Sequence, residues 1–276
     1  MTTKSGWERE NRVHFDEIVT NYDKVRWDYP RELYLDIFEY AGAGKKALEI
    51  GAGTGKATLP FIDAGYGVTA VELGANMAEF MAEKFKSNSG FKVINETFEE
   101  AVLENEGYDL VYAATAFHWV DASIGCPKVM DILKPGGTFA LFRYNSVPRP
   151  GEALYDAIQR CYEKFYNTYY TGSKKPVRIS KEEYWTPAEL HRSFRFEGME
   201  QYSFRDITMK FYEASRTYTA DEYIILLDTN SDHRSLPDAN RDGLYAGVRE
   251  AILQYGDMYT FESLYQLYMG RKPLSM

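Results

Sequence analysis

The residues able to do chemistry gather at two places. The first is "KALEIGAGTGKATLP", residues 45 to 59, where Glu49 precedes glycines at 51, 53 and 55. A second carboxylate, Glu72, ends the next apolar run, 21 positions after Gly51. A glycine turn lets backbone approach a ligand closely, because no Cβ intrudes. The second place is "AFHWVD", whose His118 could accept a proton near neutral pH.

Three ligands could use such a turn. A phosphate loop needs Gly, four residues, then Gly-Lys-Ser or Gly-Lys-Thr. Here Ala57 follows Lys56, and Ile50 stands where the first glycine belongs, so that pattern fails. A dinucleotide fold needs GxGxxG, whose third glycine allows close helix packing. Gly51 and Gly53 match, but Lys56 occupies the third site and Gly55 comes one position early. Glu72 would suit the ribose of either a dinucleotide or an adenosyl group. The third candidate is S-adenosylmethionine, which has no pyrophosphate and ends in a charged amino-acid tail. Glu49 offers a carboxylate to the ammonium of that tail.

These residues need strands and helices to hold them. "KALEIG", "YGVTAVEL", "FKVIN", "YDLVYAAT" and "TFALFRY" read as five apolar strands. Helices alternate with them. "TGKATLPFIDAG" places Leu59 and Ile62 on one side. "NMAEFMAEKF" has Met77, Phe80, Met81 and Phe85 at helical spacing, and "ASIGCPKVMDILKPGG" is expected to stop at Pro135 and two glycines. Alternating, near-continuously apolar strands imply a doubly wound, mostly parallel sheet. The second half differs. Roughly 55 residues precede the strand "EQYSFRDITMKFY", far more than the dozen a crossover needs. Capping-box spacings at Ser180–Glu183, Thr186–Glu189 and Thr219–Glu222 mark helix starts. "DMYTFESLYQLYMGRK" is expected to close the chain as a strand beside residues 204–212.

The stretch "ALEIGAGTGKATLPFIDAGYGVTAVELGANM" resembles the first two cofactor motifs of class I S-adenosylmethionine-dependent methyltransferases of the type 11, small-molecule kind. "NETFEEAVL" looks like the adenine-binding segment, "YDLVYAATAFHWVD" like the fourth-strand motif and "LKPGGTFAL" like the turn into the fifth strand. "HFDEIVTNYDKVRWDYP" looks like the helix that precedes the domain. "AFHWVD" and "ILLDTNSDH" resemble the trans-aconitate-type branch. The resemblance is good from about 11 to 145 and looser beyond. It implies a seven-stranded Rossmann-like sheet ending in an antiparallel hairpin, with a helical cap inserted after the fifth strand. The implied organisation is a lid over 1–40, a cofactor core over 41–145, a cap over 146–199 and the remaining core over 200–276. By the same resemblance Gly51, Ala52 and Gly53 line the methionine part and Gly55 allows close helix packing. Glu72 takes the ribose, while Leu73, Met77, Thr97 and Phe98 border the adenosine. Ala114 presents a carbonyl to the ammonium that Glu49 also faces, and Tyr22 folds over the cofactor. Family members often carry Asp where Thr97 stands.

The net charge of −9 argues against a nucleic-acid surface. No apolar run has the roughly 20 residues of a membrane helix, and the N-terminus shows no apolar signal core. Cys126 and Cys161 form no CxxC pair, so neither a disulfide framework nor a metal is expected. The expectation is a cytoplasmic enzyme, monomer or homodimer, acting on a small molecule by O- or N-methylation. A nicotinamide oxidoreductase and a non-catalytic cofactor-binding regulator remain alternatives. His118 is the candidate general base, with a packed "FHW" turn as the competing reading. Fifteen of the 23 tyrosines follow residue 150. They suit a substrate pocket or a helix packing its aromatics on the sheet. Arg143 and Arg149 are read as a solvated charged face more readily than as partners of an acidic substrate.

Overall fold

A computed structural model of the chain describes residues 11, 19–173 and 176–274. After α1 (Val19–Val25) and α2 (Arg31–Ala41), strands and helices alternate. The order is β1 (Lys46–Ile50), α3 (Thr58–Asp63), β2 (Gly67–Glu72), α4 (Ala75–Lys84), β3 (Phe91–Asn95), β4 (Tyr108–Ala114), α5 (Ala122–Ile132) and β5 (Leu133–Ser146). Then come α6 (Ala153–Cys161), α7 (Pro187–Phe194), β6 (Arg205–Tyr218), α8 (Ala220–Asp228), α9 (Ser231–Arg234), α10 (Asp238–Gln254) and β7 (Tyr259–Arg271).

The seven strands form one mixed sheet in the order β3-β2-β1-β4-β5-β7-β6. β1 lies between β2 and β4, with Leu48 opposite Thr69 and Val111. These pairings, and those of β3 and β5, are parallel. β7 runs the other way along β5. Gly136 donates to the Lys272 carbonyl at 3.0 Å, Lys272 to Gly137 at 2.9 Å, and Val147 to Glu262 at 2.9 Å. The inner strands are buried on both faces because helices cover them, which is why they read as unbroken apolar runs.

The chain divides into two compact units. One comprises residues 28–145, 179–213 and 264–276, and the other comprises 1–27, 146–178 and 214–263, so β6 and β7 each contribute to both. In the first, Tyr34 and Phe38 of α2 and Phe61 of α3 pack edge-on and stacked against Tyr66, Tyr112 and Phe142. The Phe61 and Tyr112 rings stack with centroids 4.0 Å apart, and such aromatic pairs contribute about 0.5–1.5 kcal/mol beyond their buried area. Phe139 meets Phe117 and Phe204 elsewhere in this unit.

Several local expectations are corrected. The α3 helix buries Thr58 and Phe61, while Leu59 is 43% exposed. The helix starts at Thr58, four residues after the Thr54 that opens the pattern. The helix before "LKPGG" ends at Ile132, close to the expected stop, but the segment itself is strand. It belongs to β5, where a register shift between Tyr108 and Leu110 absorbs the extra residues. The capping box at Thr219–Glu222 is complete. At Ser180 both bonds also form, but they cap a single turn, Glu183–Trp185. At Thr186 only the hydroxyl half is made, because the Glu189 carboxylate turns to Arg192. The aromatics of "CYEKFYNTYY" pack on helices, not on the sheet. Tyr166 meets Asp232 and His233 of α9, and Phe165 fills space that a Cβ at Gly243 of α10 would need.

Candidate functional site

The turn after β1 takes its shape from three left-handed glycines. Gly51, Gly53 and Gly55 have φ of +65°, +58° and +75°, a region L-residues with a Cβ avoid. A Cβ on Gly51 would lie 2.6 Å from that of Ala116. A Cβ on Gly55 would lie 2.5 Å from the Phe85 ring, so Gly55 allows α4 to close on the turn. Ala52 is buried between them.

Glu72 ties this turn to the tip of β2. One carboxylate oxygen accepts from Gly53 N–H at 2.7 Å, the other from Gly74 N–H at 2.8 Å. The backbone thus orients both oxygens of the carboxylate. The Asn95 side-chain amide donates to the carbonyls of Glu72 and Leu73, both at 2.9 Å. Met77 is buried in α4 beside the same tip. Thr97 spends its hydroxyl locally, accepting from Glu100 N–H at 3.2 Å. Phe98 is buried, with the Lys128 ammonium 5.3 Å from its ring centroid. Tyr22 lies on α1, but its side chain is outside the described residues.

Glu49 is the most unusual group. It is buried at the middle of the sheet. Its Oε2 accepts from Thr58 Oγ1 at 2.5 Å and from Tyr112 OH at 2.9 Å. Its Oε1 is equally buried and has no partner among the described residues. Burial raises its pKa from 4.5 to about 8, against the two hydrogen bonds, with the Glu72 charge adding to the rise. A buried oxygen without a donor costs free energy unless a ligand supplies one. An ammonium would supply that donor and lower the pKa at once.

Beyond β4 the chain turns sharply. Ala114 ends the strand opposite Phe142. Thr115 follows with φ +52°, an outlier for a β-branched residue. Its hydroxyl is 2.6 Å from that of Tyr29. Residues 117–119 make one 3-10 turn that buries Phe117 and leaves His118 partly exposed. Desolvation holds the His118 pKa well below its ordinary value, helped by the charges of Arg143 and Arg195. The imidazole is therefore neutral at pH 7. His118, Thr115, Phe142, Arg143, Ser193 and Phe194 border one small recess. Arg143 and Arg149 are not a solvated face. Arg143 donates to the Ser193 carbonyl, and Arg149 donates to the Thr260 carbonyl and meets Glu152 at 3.0 Å.

A methyltransferase domain model matches residues 48–141. A methyltransferase-like protein of Schizosaccharomyces pombe is 30% identical over 249 residues, which span 86% of this chain and 84% of that one. The chain belongs to the class I S-adenosylmethionine-dependent methyltransferases. A methyltransferase of Mycobacterium tuberculosis is 32% identical over 133 residues, covering 48% of this methyltransferase and 53% of the relative. The matched stretch thus spans about half the length of that relative. The fold is similar to that of phosphoethanolamine N-methyltransferase 2 from Haemonchus contortus, solved with S-adenosylhomocysteine. There the TM-score is 0.54 at 17% identity, covering 98% of this chain and 60% of the other. Among the described residues no helix is long and apolar enough to cross a membrane, and no group of three or more His, Cys, Asp or Glu could hold a metal.

Residue spacing did not reveal Thr58, Tyr112, Asn95, Thr115 or Ser193. Tyr112 faces Glu49 only because β1 and β4 are neighbours in register. Asn95 ends β3 opposite Glu72, which is also a pairing fact. The signal that could have pointed to Tyr112 is its oxygen inside an otherwise apolar strand.

Proposed function

We propose that this protein transfers a methyl group from S-adenosyl-L-methionine to a small-molecule acceptor at oxygen or nitrogen. The observation that carries the reading is Glu49. A buried carboxylate with one unpartnered oxygen, beside three left-handed glycines, suits a ligand that brings an ammonium. The residues present therefore fit the cofactor. Bound there, it would supply an activated methyl group, and the chain's own part is to orient, exclude water and manage protons.

In this reading Glu49 Oε1 and the Ala114 carbonyl take the tail's ammonium, with Gly51, Ala52 and Gly53 along the methionine. Glu72, oriented by its backbone bonds to Gly53 and Gly74, takes the ribose hydroxyls. Leu73, Met77, Thr97 and Phe98 border the adenosine, and Gly55 keeps the turn packed on α4. Tyr22 covers the cofactor. His118 at Nδ1 or Nε2 takes a proton from the acceptor, its neutral state at pH 7 being the one required. The segments 1–40 and 146–199 serve as lid and cap around a core formed by 41–145 and 200–276, with β6 and β7 as an antiparallel pair. "AFHWVD" and "ILLDTNSDH" support a place near the trans-aconitate-type branch. A cytoplasmic monomer or homodimer without nucleic-acid partners completes the proposal.

Calorimetric titration with S-adenosylhomocysteine and with NADH tests it. Binding of the first and not the second is expected. The reverse would return the chain to the oxidoreductase reading. That alternative already suffers from Lys56 at the third glycine position, where its ammonium pairs with Asp28 at 3.0 Å.

A further inference from the structure

The recess bordered by His118, Arg143 and Ser193 contains a cation without an anion. Arg143 extends from β5, and one of its terminal nitrogens, Nη1, donates to the Ser193 carbonyl. That carbonyl is its only acceptor among the described residues, and no carboxylate there forms an ion pair with it. Its Nε is buried and unpartnered. The edge formed by Nε and Nη2 therefore presents two parallel N–H groups with no protein acceptor among the described residues. Ser193 is 1% exposed, and its hydroxyl also lacks a partner among the described residues. Among the described residues around it, only Tyr29, Tyr144 and Tyr184 act in its favour, and no carboxylate does. Arg192 and Arg195 are the charged groups whose fields act on Arg143 and His118, and both are positive. Burial and Arg192 together lower the Arg143 pKa to about 10.

A partly buried guanidinium with a buried, unpartnered Nε is costly, and its cost falls sharply when a planar oxyanion accepts both parallel donors. Phe142 and Phe194 give the recess apolar walls beside the guanidinium. Thr115 and Ala116 line it too, and Ala116 abuts Gly51 of the cofactor turn.

We propose that the Nε–Nη2 edge of Arg143, with the Ser193 hydroxyl, binds a carboxylate or phosphate group of the methyl acceptor. The two residues then determine specificity, selecting acidic small molecules and rejecting neutral or cationic ones. His118 stands in the same recess, so an acceptor anchored at Arg143 would have its other atoms within reach of the imidazole. This rests on the methyltransferase reading for the word acceptor, but the oxyanion site itself does not.

The test titrates the full chain with benzoate and with inorganic phosphate, with and without saturating S-adenosylhomocysteine. Arginine Nε–H NMR signals and Tm are the readouts, with the Arg143 signal assigned from Arg143→Lys. At least one anion is expected to move the Arg143 signal and raise Tm. A response to benzoate alone identifies a carboxylate, and one to phosphate alone a phosphate. Arg143→Gln is expected to weaken that anion by at least about tenfold while leaving S-adenosylhomocysteine affinity within about threefold, a shift under 1 kcal/mol. Ser193→Ala should weaken it less. The proposal is overturned if neither anion moves the signal, or if Arg143→Gln binds both as tightly as the parent. It is also overturned if Arg143→Gln loses S-adenosylhomocysteine, since the oxyanion would then be the cofactor's own carboxylate. Should Arg143→Gln not fold, the wild-type Nε–H titration decides. Failure of S-adenosylhomocysteine to bind the wild type would sink the methyltransferase reading, and the anion titration would still judge this site.

Discussion

Two histidines show two uses of buried polar groups. His233 sits in the unit built from α6 and α8 to α10, where its network is closed. Its Nδ1 is 3.0 Å from Asp232 Oδ1 and its Nε2 is 2.9 Å from Tyr162 OH. The other Asp232 oxygen accepts from Tyr166 at 2.5 Å, and the Asp232 carbonyl from Tyr170 at 2.7 Å. Burial pushes the Asp232 pKa up, but His233 and the hydrogen bonds outweigh it and hold the carboxyl below its usual range. His118 sits in the other unit among groups that are open. Glu49 Oε1, Arg143 Nε and Ser193 Oγ are buried there with no partner among the described residues. A closed network specifies packing, whereas open valences in a packed interior ask for a ligand. The tyrosine-rich run, which from sequence could have lined a pocket, belongs to the first kind.

Breaking each region should therefore fail differently. The largest expected effect is on the closed network. Asp232→Ala leaves His233 and Tyr166 without the carboxylate that they share and should cost about 3 kcal/mol of stability, measured by chemical denaturation. Its S-adenosylhomocysteine affinity in the folded state should stay within about threefold. A large loss of affinity with unchanged stability would erase the distinction between the regions.

Gly51→Val does the opposite. Its side chain meets Ala116 at a positive φ, and cofactor affinity should fall about a hundredfold, near 2.7 kcal/mol, by calorimetry. Unchanged affinity would remove the glycine turn from the site.

Glu49→Gln sharpens the comparison through pH. Below pH 4.5 the folded and unfolded chains both hold the Glu49 proton. Above it the unfolded chain releases that proton while the folded chain keeps it to about pH 8. Stability without ligand therefore falls across this window by roughly 1.4 kcal/mol per pH unit at most. The Gln variant should lose that slope and be the more stable protein at pH 8. Binding of S-adenosylhomocysteine at pH 7 should release close to one proton, read as a dependence of the binding heat on buffer ionisation. A heat independent of buffer would mean that Glu49 stays protonated or was already ionised.

The smallest effect is expected at His118. His118→Ala should lower kcat by about 10- to 100-fold with an identified acceptor. Because the imidazole pKa is depressed, the wild-type rate should stay level from pH 6 to 8 and fall only under more acid conditions. Full turnover in the Ala variant would assign "FHW" to packing alone.

Much of this was legible in the residues. Strands buried on both faces carry unbroken apolar runs, and Gly51, Gly53 and Gly55 had to precede a helix. The Thr219–Glu222 box formed because both halves are local. Failures came where local patterns met tertiary competition. Glu189 matched a capping spacing, yet Arg192 on the same helix took its carboxylate. "LKPGG" looked like punctuation, yet Leu133 pairs with β4 and the two glycines bond to Lys272. Arg143 and Arg149 looked like surface charges, because sequence carries no measure of burial.

By itself the sequence determined the alternation of elements, the glycine turn and the two acidic residues that bracket it. Those features depend on spacing within about 25 residues, over which chain geometry alone dictates who can meet. The tertiary structure decided which valences stay open. Glu49 meets Tyr112 across 63 residues and Arg143 meets Ser193 across 50. Sheet register and helix packing set those meetings. The same packing strands Glu49 Oε1 and Arg143 Nε in the interior, where a missing partner is expensive enough to imply a ligand.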